Sequence, residues 1–170
     1  MDAIVSDTTA LIVLAGRQRL DLLGACFERV LLPRAVYREW LAGDASVENT
    51  VAHLSFLEVV AVEDFPLLGE LRTLLDAGEA EALALARARG LPLLVDEKKA
   101  RTIARMMKIP ILGLVGVLLL AVERGILEPQ VASALLQESI DHGFRLSERL
   151  HQVFLSRLAL SADPQMNNKA

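Results

Sequence analysis

Residues 75–101, LDAGEAEALALARARGLPLLVDEKKAR, decide the fold. Asp76-Ala77-Gly78 punctuates the chain. Glu79 to Arg89 then runs as an Ala- and Leu-rich segment closed by Gly90, the pattern of a helix with a glycine at its C-terminal end. Leu93-Leu94-Val95 is a short continuous apolar run, which suits a strand buried on both faces. It ends at Asp96-Glu97, and Lys98 to Lys108 follows as an amphipathic helix. Helix, buried strand ending in acids, and helix in close succession predict an α/β unit with a parallel sheet.

Upstream, Ala3-Ile4-Val5 reads as a strand ending at Ser6-Asp7-Thr8-Thr9, and Ala10 to Ala15 as a helix that Ser6, Asp7 or Thr8 caps. A second helix is expected over Leu20 to Phe27 and a strand at Val30-Leu31-Leu32. Pro33 suits the first turn of a helix over Arg34 to Leu41. Residues 43–50 read as a loop or weak helix, Leu57 to Val62 as a strand and Leu67 to Leu75 as a helix. Downstream, a strand at Ile111 precedes an apolar helix, with two more helices over Pro129 to Asp141 and Ser147 to Leu160. The pattern predicts one domain over residues 1–160 and a frayed tail over 161–170. In such sheets ligands bind beyond the carboxyl ends of the strands, and Asp7 and Asp96 each directly follow a strand.

Composition narrows the partners. The chain has 170 residues, 53% hydrophobic and only 4% aromatic, so a large Leu/Ala/Val core is available. The formal net charge of −4 gives no bulk basic footprint, and any nucleic-acid contact must rest on a local patch or a metal. Cys26 is the single cysteine: it forms no internal disulfide, offers no zinc spacing, and reads as core. Asp2 and Asp7 interrupt the N-terminus where a secretory leader would be apolar, and the apolar run Ile109 to Val122 is shorter than the ~20 residues a bilayer needs. A cytoplasmic protein without membrane attachment is expected. No Gly-x-Ser-x-Gly elbow or Gly-rich phosphate loop is present, and Tyr37 and Trp40 read as packing residues.

The acids carry the functional reading. Glu79 shares a helical face with Ala82, Leu83 and Ala86 at about 100° per residue, so it heads the inward stripe. Its plain alternative is a first-turn glutamate favoured by the helix dipole; Glu81 faces elsewhere and reads as a solvated or capping residue. Asp7 read plainly is an Asx turn or a cap at the strand–helix junction, Glu39 (beside Val36 and Trp40) a surface acid, and Asp96 a helix cap. Their joint placement at one sheet edge says more than any one of them. Converging carboxylates repel one another, and a hard divalent cation such as Mg²⁺ or Mn²⁺ relieves that penalty. Such an ion polarises a phosphoryl oxygen and acidifies bound water, which points to phosphodiester hydrolysis. Lys98, Arg101, Arg105 and Lys108 fall within an arc of about 80° on the helix after Asp96, a stripe that suits a phosphate backbone or an ordinary solvated face.

Four segments, IVSDTTALIVLA (4–15), LLPRAVYREW (31–40), the stretch at 75–101 and GLVGVLLLAVERGIL (113–127), together resemble the PIN-domain proteins of prokaryotes. The likeness is to the nucleic-acid-binding branch with an extended helical C-terminal part, and spans about residues 3–150 in the right order. It implies a PIN-like three-layer α/β/α sandwich with a central parallel sheet and extra C-terminal helices. It also implies an Mg²⁺- or Mn²⁺-dependent ribonuclease, the toxin half of a toxin–antitoxin module, dimeric and silenced by a small antitoxin. The family's first acid falls on Asp7, its helix glutamate on Glu39, the acid of its Ala-rich helix on Glu79, and its last strand-end acid on Asp96 or Glu97. In that scheme Asp7, Glu79 and Asp96 ligate metal, Glu39 and Glu97 ligate or hold metal-bound water, and Lys98 and Arg101 contact phosphate. The chain departs from the pattern with Glu for Asp at Glu79, paired acids at Asp96-Glu97, and Leu114 where relatives carry a hydroxyl. Those departures favour the alternative, a non-catalytic PIN fold that binds RNA or a protein. A third reading makes the Leu114–Val122 helix a dimerisation element.

Overall fold

A computed structural model describes residues 3–63 and 66–161. Its strands are β1 (Ala3–Ser6), β2 (Arg29–Pro33), β3 (Leu57–Val60), β4 (Leu93–Leu94) and β5 (Ile111–Leu112). Between and after them lie α1 (Thr8–Gly16), α2 (Asp21–Cys26), α3 (Arg34–Gly43), α4 (Val47–His53), α5 (Pro66–Arg72), α6 (Ala77–Arg89), α7 (Lys98–Met106), α8 (Leu114–Glu123), α9 (Pro129–Asp141) and α10 (Glu148–Ser161). The chain falls into two compact units, Met1–Leu114 and Val115–Ala170. The expected tail lies outside the described residues from 162 onward, and Ser161 closes α10.

The first unit holds a five-stranded sheet in the order β3-β2-β1-β4-β5, parallel at every pairing. Consecutive residues Ile4, Val5 and Ser6 of β1 are buried, as are Val30 to Pro33 of β2, so both faces of the central strands are covered. This is the α/β fold expected, a PIN-like sandwich with the sheet as its middle layer. The strand order places one feature in particular. β2 and β3 lie on one side of β1, β4 and β5 on the other, so the order in which successive strands are added reverses between β1 and β4. At such a switch point the loops leaving neighbouring strands diverge and open a crevice. Asp7 stands at the end of β1, and its amide donates to Leu94 O of β4 at 2.9 Å.

α6 explains the alanines of the deciding stretch. Ala80, Ala82, Leu83, Ala84, Leu85 and Ala86 are all buried, because α3, α5, α7, β1 and β2 each pack against this helix. Small side chains allow that close approach, and Gly90 at φ 63° ends the helix in the left-handed conformation. Gly24 has a similar duty: a Cβ there would stand 2.5 Å from the Phe56 ring.

The boundaries move in physically simple ways. α3 runs on to Gly43, and the stretch expected to be loop or weak helix yields α4, pinned by buried Val47. β3 stops at Val60 rather than Val62. α7 stops at Met106, not Lys108, because Lys108 takes φ 59° and Pro110 disfavours helix at the residue before it. In the second unit, α9 and α10 pack together, and α8 buries Val115, Val117, Leu118, Ala121 and Val122. Most of the α8 face read as a dimerisation element is thus already covered. No described helix is long and apolar enough to cross a membrane.

Candidate functional site

Among the described residues, the buried polar or charged side chains are Ser6, Asp7, Thr8, Glu79 and Ser139. All but Ser139 sit at the β1 end and the start of α6. An ionisable group is rarely buried without a reason, so this concentration marks the crevice as the candidate site.

Asp7 is 5% exposed and occupies the position before α1, but its side chain makes no capping hydrogen bond there. The plain capping reading therefore fails for Asp7. Its carboxyl is pushed up from 3.8 to about 7, first by burial, against the pull of the Thr8 backbone bond, and further by the charges of Glu79, Asp76 and Glu39. Next to it, Thr8 Oγ1 donates to Glu39 Oε2 at 2.7 Å and so joins α1 to α3. A Cβ on Gly78 would lie 2.8 Å from the same Glu39 oxygen, so the bare glycine lets that carboxylate sit over the first turn of α6.

Glu79 is 8% exposed, as its helical phase predicts. It forms a reciprocal capping box with Asp76: Glu79 N donates to Asp76 Oδ1 at 2.8 Å and Asp76 N to Glu79 Oε2 at 3.3 Å. Its carboxyl is held above the usual range by burial and by Asp76, then by Glu97 and Glu39, against the Asp76 amide. The structure thus adds two residues that the sequence reading left out, Asp76 and Thr8. The Asp-x-x-Glu spacing of 76 and 79 was the available signal for the first. For Thr8, the hydroxyl next to the first acid was the signal.

Asp96 and Glu97 behave differently from each other. Glu97 caps α7, accepting from the Lys99 and Ala100 amides, and its charge reaches Glu79. Asp96 is turned to the Leu114 amide, which donates to Oδ1 at 3.2 Å and Oδ2 at 3.1 Å. Burial raises its pKa, while Leu114 and then Arg101 lower it. Arg101 is likewise turned inward, donating from Nη1 to Val95 O at 2.8 Å. The four-residue basic stripe is therefore not one helix face: Lys98 and Arg105 are exposed on α7, Arg101 points back to the strand, and Lys108 lies beyond the helix. Glu81, read as solvated or capping, caps another helix: it accepts from the Ala35 amide of α3 at 3.0 Å and pairs with Arg72 at 3.3 Å.

Asp7, Glu39, Glu79 and Asp76 bring hard oxygen donors to the end of β1, where burial and like charge push the Asp7 carboxyl up to about 7. That donor set suits a hard divalent cation, whose charge would remove the penalty. The side chains as they stand are occupied by Thr8 and by the capping box. Among the described residues no three His, Cys, Asp or Glu side chains are arranged to hold one ion. The cavities lined by Ala61, Leu85 and Arg89 and by Gln18, Trp40 and Thr50 lie elsewhere in the first unit and contain none of the predicted site acids.

Residues 3–159 match the family described as the PIN domain. The chain belongs to the PIN-domain family. PIN domains are in general nucleases that use divalent metals, so this PIN chain carries a nuclease-type fold. No curated protein matches the chain.

Proposed function

We propose that this PIN domain is a divalent-cation-dependent ribonuclease that hydrolyses RNA phosphodiester bonds. The observation that carries the reading is the burial of Asp7 and Glu79 side by side at the switch point, with Glu39 and Asp76 adding charge to both. Asp7, Glu39 and Glu79 would hold Mg²⁺ or Mn²⁺, which supplies charge stabilisation at the phosphoryl group and an acidified water. Glu97 lies near enough to act electrostatically on Glu79 and to orient water at the rim. Lys98 and Arg105, exposed on α7, supply the phosphate contacts.

The same reading makes the protein the toxin half of a cytoplasmic toxin–antitoxin module, working as a homodimer and silenced by a small antitoxin protein. The exposed apolar side chains of the second unit, Val131, Leu150, Val153 and Leu160 among them, are surface that a protein partner would cover.

A metal-dependent cleavage assay on RNA tests the proposal. Wild type is expected to cut with Mn²⁺ or Mg²⁺, to stop with EDTA, and to lose activity as Asp7→Asn. The rival reading is a non-catalytic PIN fold that binds RNA or protein. It is favoured by the engagement of Asp96 with Leu114 and by the absence, among the described residues, of three acids arranged around one point. An inert wild type that still binds RNA establishes the rival.

A further inference from the structure

The outer face of α7 collects cations. Residues 98–108 carry five lysines and arginines, and no Asp or Glu occurs from 98 to 122, although the whole chain has a net charge of −4. Arg101 is turned inward to Val95 O. The other four, Lys98, Lys99, Arg105 and Lys108, are exposed, and among the described residues they make no ion pair. Glu97, the acid at the head of the helix, is engaged by the Lys99 and Ala100 amides. At about 100° per residue, Lys98, Lys99, Thr102, Arg105 and Met106 share an arc of about 120°, while Ala100 and Ala104 are buried on the opposite side. Lys108 lies just past the end of the helix. Met106 is 78% exposed, so the arc joins charge to one apolar side chain that meets only water.

We propose that this face of α7 is a metal-independent docking strip for single-stranded RNA, with Lys98, Lys99, Arg105 and Lys108 on its phosphates and Met106 against an unstacked base. The proposal rests on reading RNA as the ligand of this PIN domain, and it places the affinity outside the acidic crevice. Charge gives the reason. The acids at the end of β1 repel a phosphate backbone, so a strand needs another surface to hold it. The α7 cations need no bound ion: they neutralise phosphates and release counterions. Leu94 of β4 lies opposite Ser6 of β1, so α7 begins at the sheet edge that carries Asp7. From there it runs on for about 12 Å, and a strand laid along it is led to that edge. Met106 favours a single strand, because only an unstacked base offers its face; duplex RNA presents phosphates, hydroxyls and base edges.

Fluorescence anisotropy of a short labelled oligouridylate with the full chain in EDTA tests the strip apart from cleavage. Wild type is expected to bind, with log affinity falling against log salt at a slope of about −3, as four phosphate contacts to a single strand imply. Lys98→Gln, Lys99→Gln, Arg105→Gln and Lys108→Gln combined should flatten the slope toward zero and cost more than about tenfold in affinity at low salt. Thermal melting shows whether that variant is folded. If it is not, Lys99→Gln decides, with the slope expected to lose about 0.7. Met106→Ser should weaken binding by about threefold at unchanged slope. Arg87→Gln, which removes an exposed cation of α6, should change neither quantity. Duplex RNA of the same length should compete about tenfold less well. No binding in EDTA, an unchanged slope in the α7 variants, or equal competition by duplex overturns the proposal. Tighter binding of polyglutamate than of RNA also overturns it, and makes the strip a site for an acidic protein. RNA cleavage with Mn²⁺ in parallel keeps the two readings apart. An inert wild type with this binding pattern removes the nuclease and leaves the strip; cleavage without binding in EDTA does the reverse.

Discussion

Asp7 and Asp96 are the same residue type, each placed just after a parallel strand on either side of one switch point, yet the structure treats them oppositely. Asp7 is buried among Glu79, Asp76 and Glu39, with little to offset its charge, and its carboxyl is pushed up to about 7. Asp96 has a backbone donor on both oxygens and an arginine beside it. The difference lies in what the neighbouring helices bring. The N-terminal turn of α6 and the Glu39 face of α3 deliver acids to Asp7. The first turns of α7 deliver a cation to Asp96. The same residue type at a strand end is thus surrounded by like charge on one side and by donors on the other.

The largest effect that would sharpen this contrast is on cleavage. Asp7→Asn should cost about a thousandfold in kcat, the scale of losing a metal's charge stabilisation, and Asp96→Asn only about tenfold. Equal losses, read in single-turnover RNA cleavage, would break the comparison.

Stability against pH comes next. A carboxyl whose pKa is higher folded than unfolded binds a proton on folding, so stability is present at low pH and lost as pH rises between about 4 and about 7. For Asp7 the loss is on the order of 4 kcal/mol by pH 8. Denaturant melts at pH 5 and pH 8 should show wild type weakening across that window, Asp7→Asn much less so, and Mn²⁺ restoring wild type alone at pH 8.

A smaller effect belongs to Asp76→Ala. It removes the α6 cap and should lower stability by about 1 kcal/mol in urea unfolding. Its loss of a charge near Asp7 should also bring the steepest part of the pH dependence to lower pH. The smallest is Gly78→Ala. Its methyl meets the flexible end of Glu39 at 2.8 Å, while alanine favours helix by about 1 kcal/mol over glycine. Stability should stay within about 1 kcal/mol of wild type, and Mn²⁺ affinity, read by calorimetry, should fall a few-fold as Glu39 is displaced.

Much of the scaffold was legible because its signals are local. Gly90 closed α6, the apolar runs at Val30 and Leu93 gave strands, and helical phase put Glu79 inside. α4 was not legible, since residues 43–50 carry polar side chains with little periodicity, and the tertiary burial of Val47 that helps hold the turn is not a local signal. The site was half legible. Phase and strand ends say which way a side chain leaves the backbone, and that brought Asp7, Glu39 and Glu79 to one place. They do not say which partner a long or hydrogen-bonded side chain chooses. Arg101 reads as part of an outward basic stripe, yet its reach lets it return to Val95 O. Asp96 and Glu97 look interchangeable in sequence, and the amides they accept from, Leu114 for Asp96 and Lys99 and Ala100 for Glu97, separate them.

Anomalous scattering from a crystal of the protein grown with Mn²⁺ tests the account most directly. A peak is predicted within about 2.0–2.3 Å of carboxylate oxygens of Asp7 and Glu79, with Asp96 still on the Leu114 amide. A peak centred on Asp96, or none at the switch point when the ion is present in excess, would contradict it.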